Sequence, residues 1–353
     1  MPDFRDIQTD LDRGSLAGIY TKLERERWDR TNAGLAPCYV PSYDQLKTFI
    51  LDFLDHVVAE RGTKGVYVQN PGLHDERVNA LHQIWDVITG LARPVSALTG
   101  IDPYRYLFLL AMRIRRPRVI DQGSVGFCGP ATLLTDLAKR EPRTYAKFAI
   151  DLLLTRRATW NGLGVVLEAD DARDWQARRA QQLDFVTMLA LRKRAEIALA
   201  GGRSGGIDLD LDNPDSHATT PGQMKCLLEA AGYHQVKDQT VSRRTFAVAR
   251  SPTQLDVLER QLTTCAAALA GGNIVIMLVH PDVARKAKNP GAAWSVDPRV
   301  AALHLLHWIN VKSLNVLGGN VTIKIVTWRW SGTVIWRVTD FLPRYFGYMV
   351  AQP

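Results

Sequence analysis

The chain has 353 residues, 46% of them hydrophobic and 23% charged, and a formal net charge of +8 at pH 7. That is the balance of an ordinary globular protein, long enough for one large domain or two moderate ones. No run approaches the ~20 apolar residues of a membrane span, and Met1-Pro2-Asp3-Phe4-Arg5-Asp6 lacks the apolar core of a secretory signal, so synthesis in a cytoplasm is expected.

The cysteines Cys38, Cys128, Cys226 and Cys265 lie far apart with no CxxC pair, which argues against a zinc site or a disulfide framework. The positive charge is dispersed. Its densest patch, Arg113-Ile114-Arg115-Arg116-Pro117-Arg118, comes with no aromatic-interleaved RNA motif or finger, so nucleic acid is not the expected partner.

Residues 1 to about 45 read as polar and irregular, with a helical piece near Leu16 to Arg30. Helical spacing of Leu46, Phe49, Ile50, Phe53, Leu54 and Val57 predicts a helix over Tyr43 to Arg61, with Ser42 as its cap. Val78, Leu81, Ile84, Trp85, Val87 and Ile88 repeat the pattern over Asp75 to Leu91, and a third helix is expected over Pro103 to Arg115. This first part reads as a small helical bundle without site chemistry of its own: a targeting, chaperone-binding or docking module, or a buttress.

The stretch Asp121-Gln122-Gly123-Ser124-Val125-Gly126-Phe127-Cys128-Gly129-Pro130-Ala131 differs in kind. It sets a cysteine at the end of a glycine-rich loop and directly before a helix whose Leu133, Leu134 and Leu137 share one side. Pro130 suits a first helical turn, where its missing N–H costs nothing. Unpaired N–H groups and the macrodipole at a helix N-terminus favour thiolate over thiol, so the Cys128 pKa is expected to fall. The Gln122 amide and the Cys128 N–H are candidate oxyanion donors, a role that can supply roughly 3 kcal/mol in a transition state.

Further along, helices are expected over Thr144 to Leu154 and Ala172 to Leu199, then a flexible break at Gly201 to Gly206. Alternating Asp208, Asp210 and Asp212 could ligate calcium, but without the glycine and distal glutamate of an EF-hand loop they read as a solvated edge strand or loop. From Thr220 the pattern alternates: helix Gln223 to Ala231, strand Tyr233 to Val236, strand Thr245 to Ala249, helix Pro252 to Leu269, and the fully apolar strand Ile274 to Val279. Cys226 and Cys265 fall in the apolar helical patterns as core residues. Pro281 to Pro298 reads as a loop long enough to lie over a cleft. A hairpin follows, His307 to Leu314 and Val321 to Trp328 around Gly318-Gly319; Val334 to Val338 extends the sheet, and Asp340-Phe341-Leu342 starts a closing turn.

A thiol nucleophile needs a general base, usually histidine. His56, His74 and His82 fall on the early helices and His217 in a loop, which suits solvated or packing roles, and His234 is in a short strand. His280, ending a buried strand, ranks second. Of the remaining pair, His304 and His307, it is His307 that opens a strand and precedes Trp308, and it ranks first.

Gln122-x5-Cys128-Gly129-x-Ala131-x-Leu133 resembles the active-site segment of papain-like cysteine peptidases, most closely the bacterial branch in which Cys-Gly opens the helix, as in peptidase domains of bacteriocin exporters. His307-Trp308 followed by β-residues is similar to that branch's histidine strand, and the order of elements is similar to the family over roughly residues 118–353. The resemblance implies an α+β fold: a papain-like two-lobed domain over 118–353, with the Cys helix in a helical lobe and the His strand in an antiparallel β lobe, preceded by a helical N-terminal region over 1–117. In the family an Asn or Asp on the paired strand fixes the imidazole tautomer. Here a hairpin turning at Gly318 brings the strand around Trp328 opposite His307, so Thr327, Trp328 and Arg329 are the candidates, and only the Thr327 hydroxyl can accept from the ring. Asn320 has the family's spacing from His304 instead, at a turn, and is set aside. A Cys-His dyad, a backbone carbonyl as orienter and a degraded site stay open.

The implied activity is thiol-dependent hydrolysis of amide bonds in a protein or peptide substrate, as a cysteine peptidase or a glutamine/asparagine deamidase, with no cofactor. A stand-alone protein of this type resembles bacterial effector or toxin peptidases that are secreted or delivered into a target cell, with a chaperone, immunity or secretion partner at the N-terminal region. The alternatives are a non-catalytic papain-like interaction protein and an acyltransferase or transglutaminase-like enzyme.

Overall fold

The computed structural model describes residues 42–61, 70–90, 92–123, 125–173, 175, 181–199, 218–241, 252–291, 306–327 and 330–353. The expected helix near Leu16 to Arg30, the Gly201 to Gly206 break, the Asp208 to Asp212 run and the Thr245 to Ala249 strand lie outside these residues. The fold is α+β, and the chain divides into two compact units.

The first unit comprises Met1–Ser124, Leu134–Trp160 and Gly164–Ala190. Helix α1 (Tyr43–Ala59) opens on a reciprocal cap: the Ser42 hydroxyl accepts from the Gln45 N–H, and the Gln45 side chain accepts from the Ser42 N–H. Its six predicted apolar residues are all buried. Helix α2 (Pro71–Thr89) is capped by Asn70, and α3 (Pro103–Arg115) by Asp102, whose carboxylate accepts from the Arg105 N–H at 2.8 Å. Helix α4 (Cys128–Arg140) gives Leu134–Arg140 to this unit and Cys128–Leu133 to the other, and α5 (Pro142–Thr155) follows it.

A strand pair, β1 (Arg157–Trp160) and β2 (Leu163–Val166), was not among the expected elements. Its turn is Asn161-Gly162, both residues at positive φ, as a two-residue hairpin of this chemistry requires. Helix α6 begins at Gln182 and runs to Leu199, ten residues later than the apolar pattern suggested. Its Asp184, fully buried, receives two hydrogen bonds from the Arg113 guanidinium at 2.9 and 2.6 Å. The same carboxylate accepts the Asp121 N–H at 3.2 Å, which fixes the start of the glycine-rich loop. Burying such a pair is costly unless both partners stay matched, so either one alone would be a liability.

The second unit, Val125–Leu133, Asn161–Leu163 and Leu191–Pro353, is built on a six-stranded antiparallel sheet in the order β3-β8-β4-β5-β6-β7. The strands are β3 (His234–Asp238), β4 (Ile274–Val279), β5 (His307–Leu317), β6 (Asn320–Thr327), β7 (Trp330–Arg337) and β8 (Tyr345–Gln352). Strand β8 pairs with both β3 and β4, so the last eight strand residues lie inside the sheet, where the sequence suggested only a closing turn. Helix α7 (Pro221–Ala230) carries the capping box Thr220/Gln223, and α8 (Pro252–Ala270) packs on β4, β5 and β8 with Leu258, Leu262 and Cys265 buried. Cys226 is only half-buried.

Two corrections bear on the site. The segment after β4 does not start as a loop: Pro281–Lys288 is helix α9, and the buried His280 is its N-cap, its Nδ1 accepting the Asp282 N–H at 3.2 Å. The β5–β6 register also differs from the one that sets Trp328 opposite His307. Gly318 and Gly319 form a two-residue turn with φ of 58° and 73°, Leu317 pairs with Asn320, and an irregularity between Val311 and Ser313 leaves Asn310 opposite Val326. One step further in that register, Thr327 faces Ile309 and stands diagonal to His307 on the same face.

Candidate functional site

Within the second unit, α4 begins at Cys128, as the sequence predicts, and the Ala131 N–H bonds back to the Phe127 carbonyl at 2.9 Å. Two contacts tie this helix start to β5, and a third lies within the helix. The Asn310 amide donates to the Thr132 carbonyl at 2.9 Å; the Thr132 hydroxyl donates to the Cys128 carbonyl at 2.7 Å and reaches the Trp308 carbonyl at 3.4 Å. Behind them the indole N–H of Trp308, 1% exposed, donates to the Thr219 carbonyl at 2.8 Å. Segments far apart in the chain therefore meet around one thiol.

The backbone N–H groups of Trp308, Gly129 and Cys128 itself face the Cys128 sulfur. This sets the thiol against the peptide that joins His307 to Trp308. The His307 ring is buried beside it in the sheet, and its Nε2 lies 2.5 Å from the Thr327 hydroxyl. Thr327 is thus where the sequence reading needed an orienting group, although the register that delivers it is not the one expected.

The electrostatics run against the sequence expectation. Burial pushes the Cys128 thiol up to about 11, the three facing N–H groups opposing that rise without cancelling it. Burial also lowers the His307 imidazole to about 3. A helix N-terminus stabilises a thiolate only by a fraction of a charge, and at 5% exposure the lost hydration of the sulfur is the larger effect. At rest Cys128 is a neutral thiol and His307 a neutral imidazole.

Gln122 belongs to the first unit, and its amide oxygen is buried without a hydrogen-bond partner. His280 is a helix cap, His234 is exposed on β3, and His74 is buried with Nε2 at 2.8 Å from the Val57 carbonyl. Asn320 sits at the exposed turn, bonded to the Gly318 carbonyl. His304, Trp328 and Arg329 lie outside the described residues. Sequence reasoning missed Thr132, Thr219 and Asn310. Only Asn310 carried a signal, an amide within the apolar run Trp308 to Val311.

No protein-family model, no curated protein and no solved structure matches the chain. Among the described residues no helix is long and apolar enough to cross a membrane, and no group of three or more His, Cys, Asp or Glu could hold a metal ion.

Proposed function

We propose that the protein is a thiol-dependent hydrolase of amide bonds, of papain-like arrangement, with Cys128 as nucleophile and His307 as base. With Nε2–H donated to Thr327, the ring keeps the tautomer in which Nδ1 is the basic nitrogen. As the sulfur attacks the carbonyl carbon, its proton passes to Nδ1, and the carbonyl π pair moves to oxygen, which accepts a hydrogen bond from the Cys128 N–H. The imidazolium then protonates the leaving amine. Water, deprotonated by the same nitrogen, cleaves the thioester and regenerates the thiol. A neutral resting pair suits this sequence, because charge forms only as the substrate supplies a place for it.

The observation that supports this reading most is the Cys128 sulfur facing the Trp308 N–H while Thr327 engages the neighbouring His307 ring. One test is intact-mass analysis after exposure to a peptide aldehyde and to glutamine-containing peptides. A Cys128 adduct and turnover in the unmodified protein, both lost in Cys128→Ser and His307→Ala, are the expected results. The deep burial of both groups favours a second reading, a scaffold that binds peptides without cleaving them; peptide binding with no adduct and no turnover would select it.

A further inference from the structure

We infer that the Thr219 hydroxyl is a further catalytic group, donating a hydrogen bond to the acyl oxygen of the substrate as Cys128 attacks; this rests on the thiol-hydrolase reading above. Thr219 is 6% exposed, and its hydroxyl oxygen is buried with no hydrogen-bond partner. A buried hydroxyl left without a partner is unfavourable, and a bound acceptor would relieve it. Its backbone is held, since its carbonyl receives the Trp308 indole at 2.8 Å, so the side chain keeps its place.

That place is against Gly129, the residue next to the nucleophile. A Cβ built on Gly129 would lie 2.7 Å from the Cβ, the Cγ2 and the hydroxyl oxygen of Thr219. The hydroxyl therefore stands over the Cys128–Gly129 step, and the absence of a side chain at Gly129 is what lets it do so. Three N–H donors face the sulfur, those of Cys128, Gly129 and Trp308, while the thiol itself points its proton at the Gly126 carbonyl at 3.9 Å. Such donors recognise an acceptor or an anion, and the Thr219 hydroxyl is a side-chain group able to turn a proton toward the same point. When Sγ bonds to the carbonyl carbon, the C=O π pair moves to oxygen and the thiol proton goes to His307. The Thr219 O–H donates to that oxygen and transfers no proton.

Two reagents separate this role from a packing one. p-Nitrophenyl acetate acylates a thiol through a tetrahedral oxyanion, whereas iodoacetamide alkylates it by direct displacement without one. Thr219→Val should slow acylation of Cys128 by ~100-fold to 1000-fold, the range for a lost oxyanion donor, while alkylation stays within about twofold; Thr219→Ser should restore acylation. Should Thr219→Val fail to fold, Thr219→Ala against Thr219→Ser gives the same comparison. Equal slowing of both reactions, or of neither, overturns the inference and leaves the hydrolase reading standing. Alkylation of Cys128 with no acylation in the unmodified protein removes both.

Discussion

The Thr327 hydroxyl lies 2.5 Å from Nε2 of His307, both side chains buried and joined across neighbouring strands of one sheet. A threonine can hold the tautomer that an amide or carboxylate would hold, though with a weaker acceptor. Thr327→Val keeps the shape and removes the acceptor, and should lower kcat/KM on a peptide or glutamine substrate by ~10-fold. That is less than for Cys128→Ala or His307→Ala, because nucleophile and base remain. Thr327→Asn should retain or raise the rate. Full activity in Thr327→Val would remove the hydroxyl from the mechanism.

The resting thiol is expected to be protonated at neutral pH. Thiolate absorbance at 240 nm, taken as the difference between the unmodified protein and Cys128→Ser, should rise with a midpoint near the about 11 to which burial pushes the group. A midpoint below pH 7 would mean that the helix N-terminus and an imidazolium outweigh desolvation after all.

The buried imidazole also links stability to pH. Folded His307 titrates at about 3 against an ordinary 6.5, so between those values the unfolded chain binds a proton that the folded chain refuses. Stability from this residue is therefore whole above pH 6.5 and is lost as pH falls toward 3. Urea midpoints at pH 7 and pH 4.5 should differ more for the unmodified protein than for His307→Gln. An equal difference in both would place the acid sensitivity on other groups.

Gly129 should not tolerate a methyl group. In an ordinary helix interior Gly→Ala gains ~1 kcal/mol, but here the added Cβ meets three Thr219 atoms at 2.7 Å. Overpacking against fixed neighbours costs ~1–3 kcal/mol, so the sign reverses. Denaturation of Gly129→Ala, Thr219→Gly and the double variant should show the alanine costing at least ~1 kcal/mol less once Thr219 is removed. Additive effects would mean the two residues do not touch.

What could be read in advance follows the range of the forces involved. The apolar stripe of α1, the run of β4 and the helix start at Cys128 are local patterns, and each fell within a few residues of its expected place. The Asn161-Gly162 hairpin was equally local and was passed over. Strand β8 was a different matter: Tyr345 to Gln352 is a short apolar run whose place between β3 and β4 is set by partners more than 60 residues away. Cys128 and His307 announced themselves through chemistry, whereas Thr219 had no local signature, since a threonine before a capped helix is unremarked anywhere else. The thiol's pKa was misjudged for the same reason. A helix terminus can be seen in the sequence; the burial that outweighs it cannot.

The lock between α4 and β5 spans 178 positions, from the Thr132 carbonyl to the Asn310 amide. A ribosome adding ~5–20 residues per second needs on the order of ten seconds or more to cover that distance. During that interval neither the Trp308 N–H nor the His307 ring exists, and Cys128 is a solvated thiol at the start of an unpacked helix, titrating as any peptide cysteine does. Its shift to a buried neutral group comes only when the β5 segment emerges, so the order of synthesis leaves Cys128 solvated until the strand that covers it can pair.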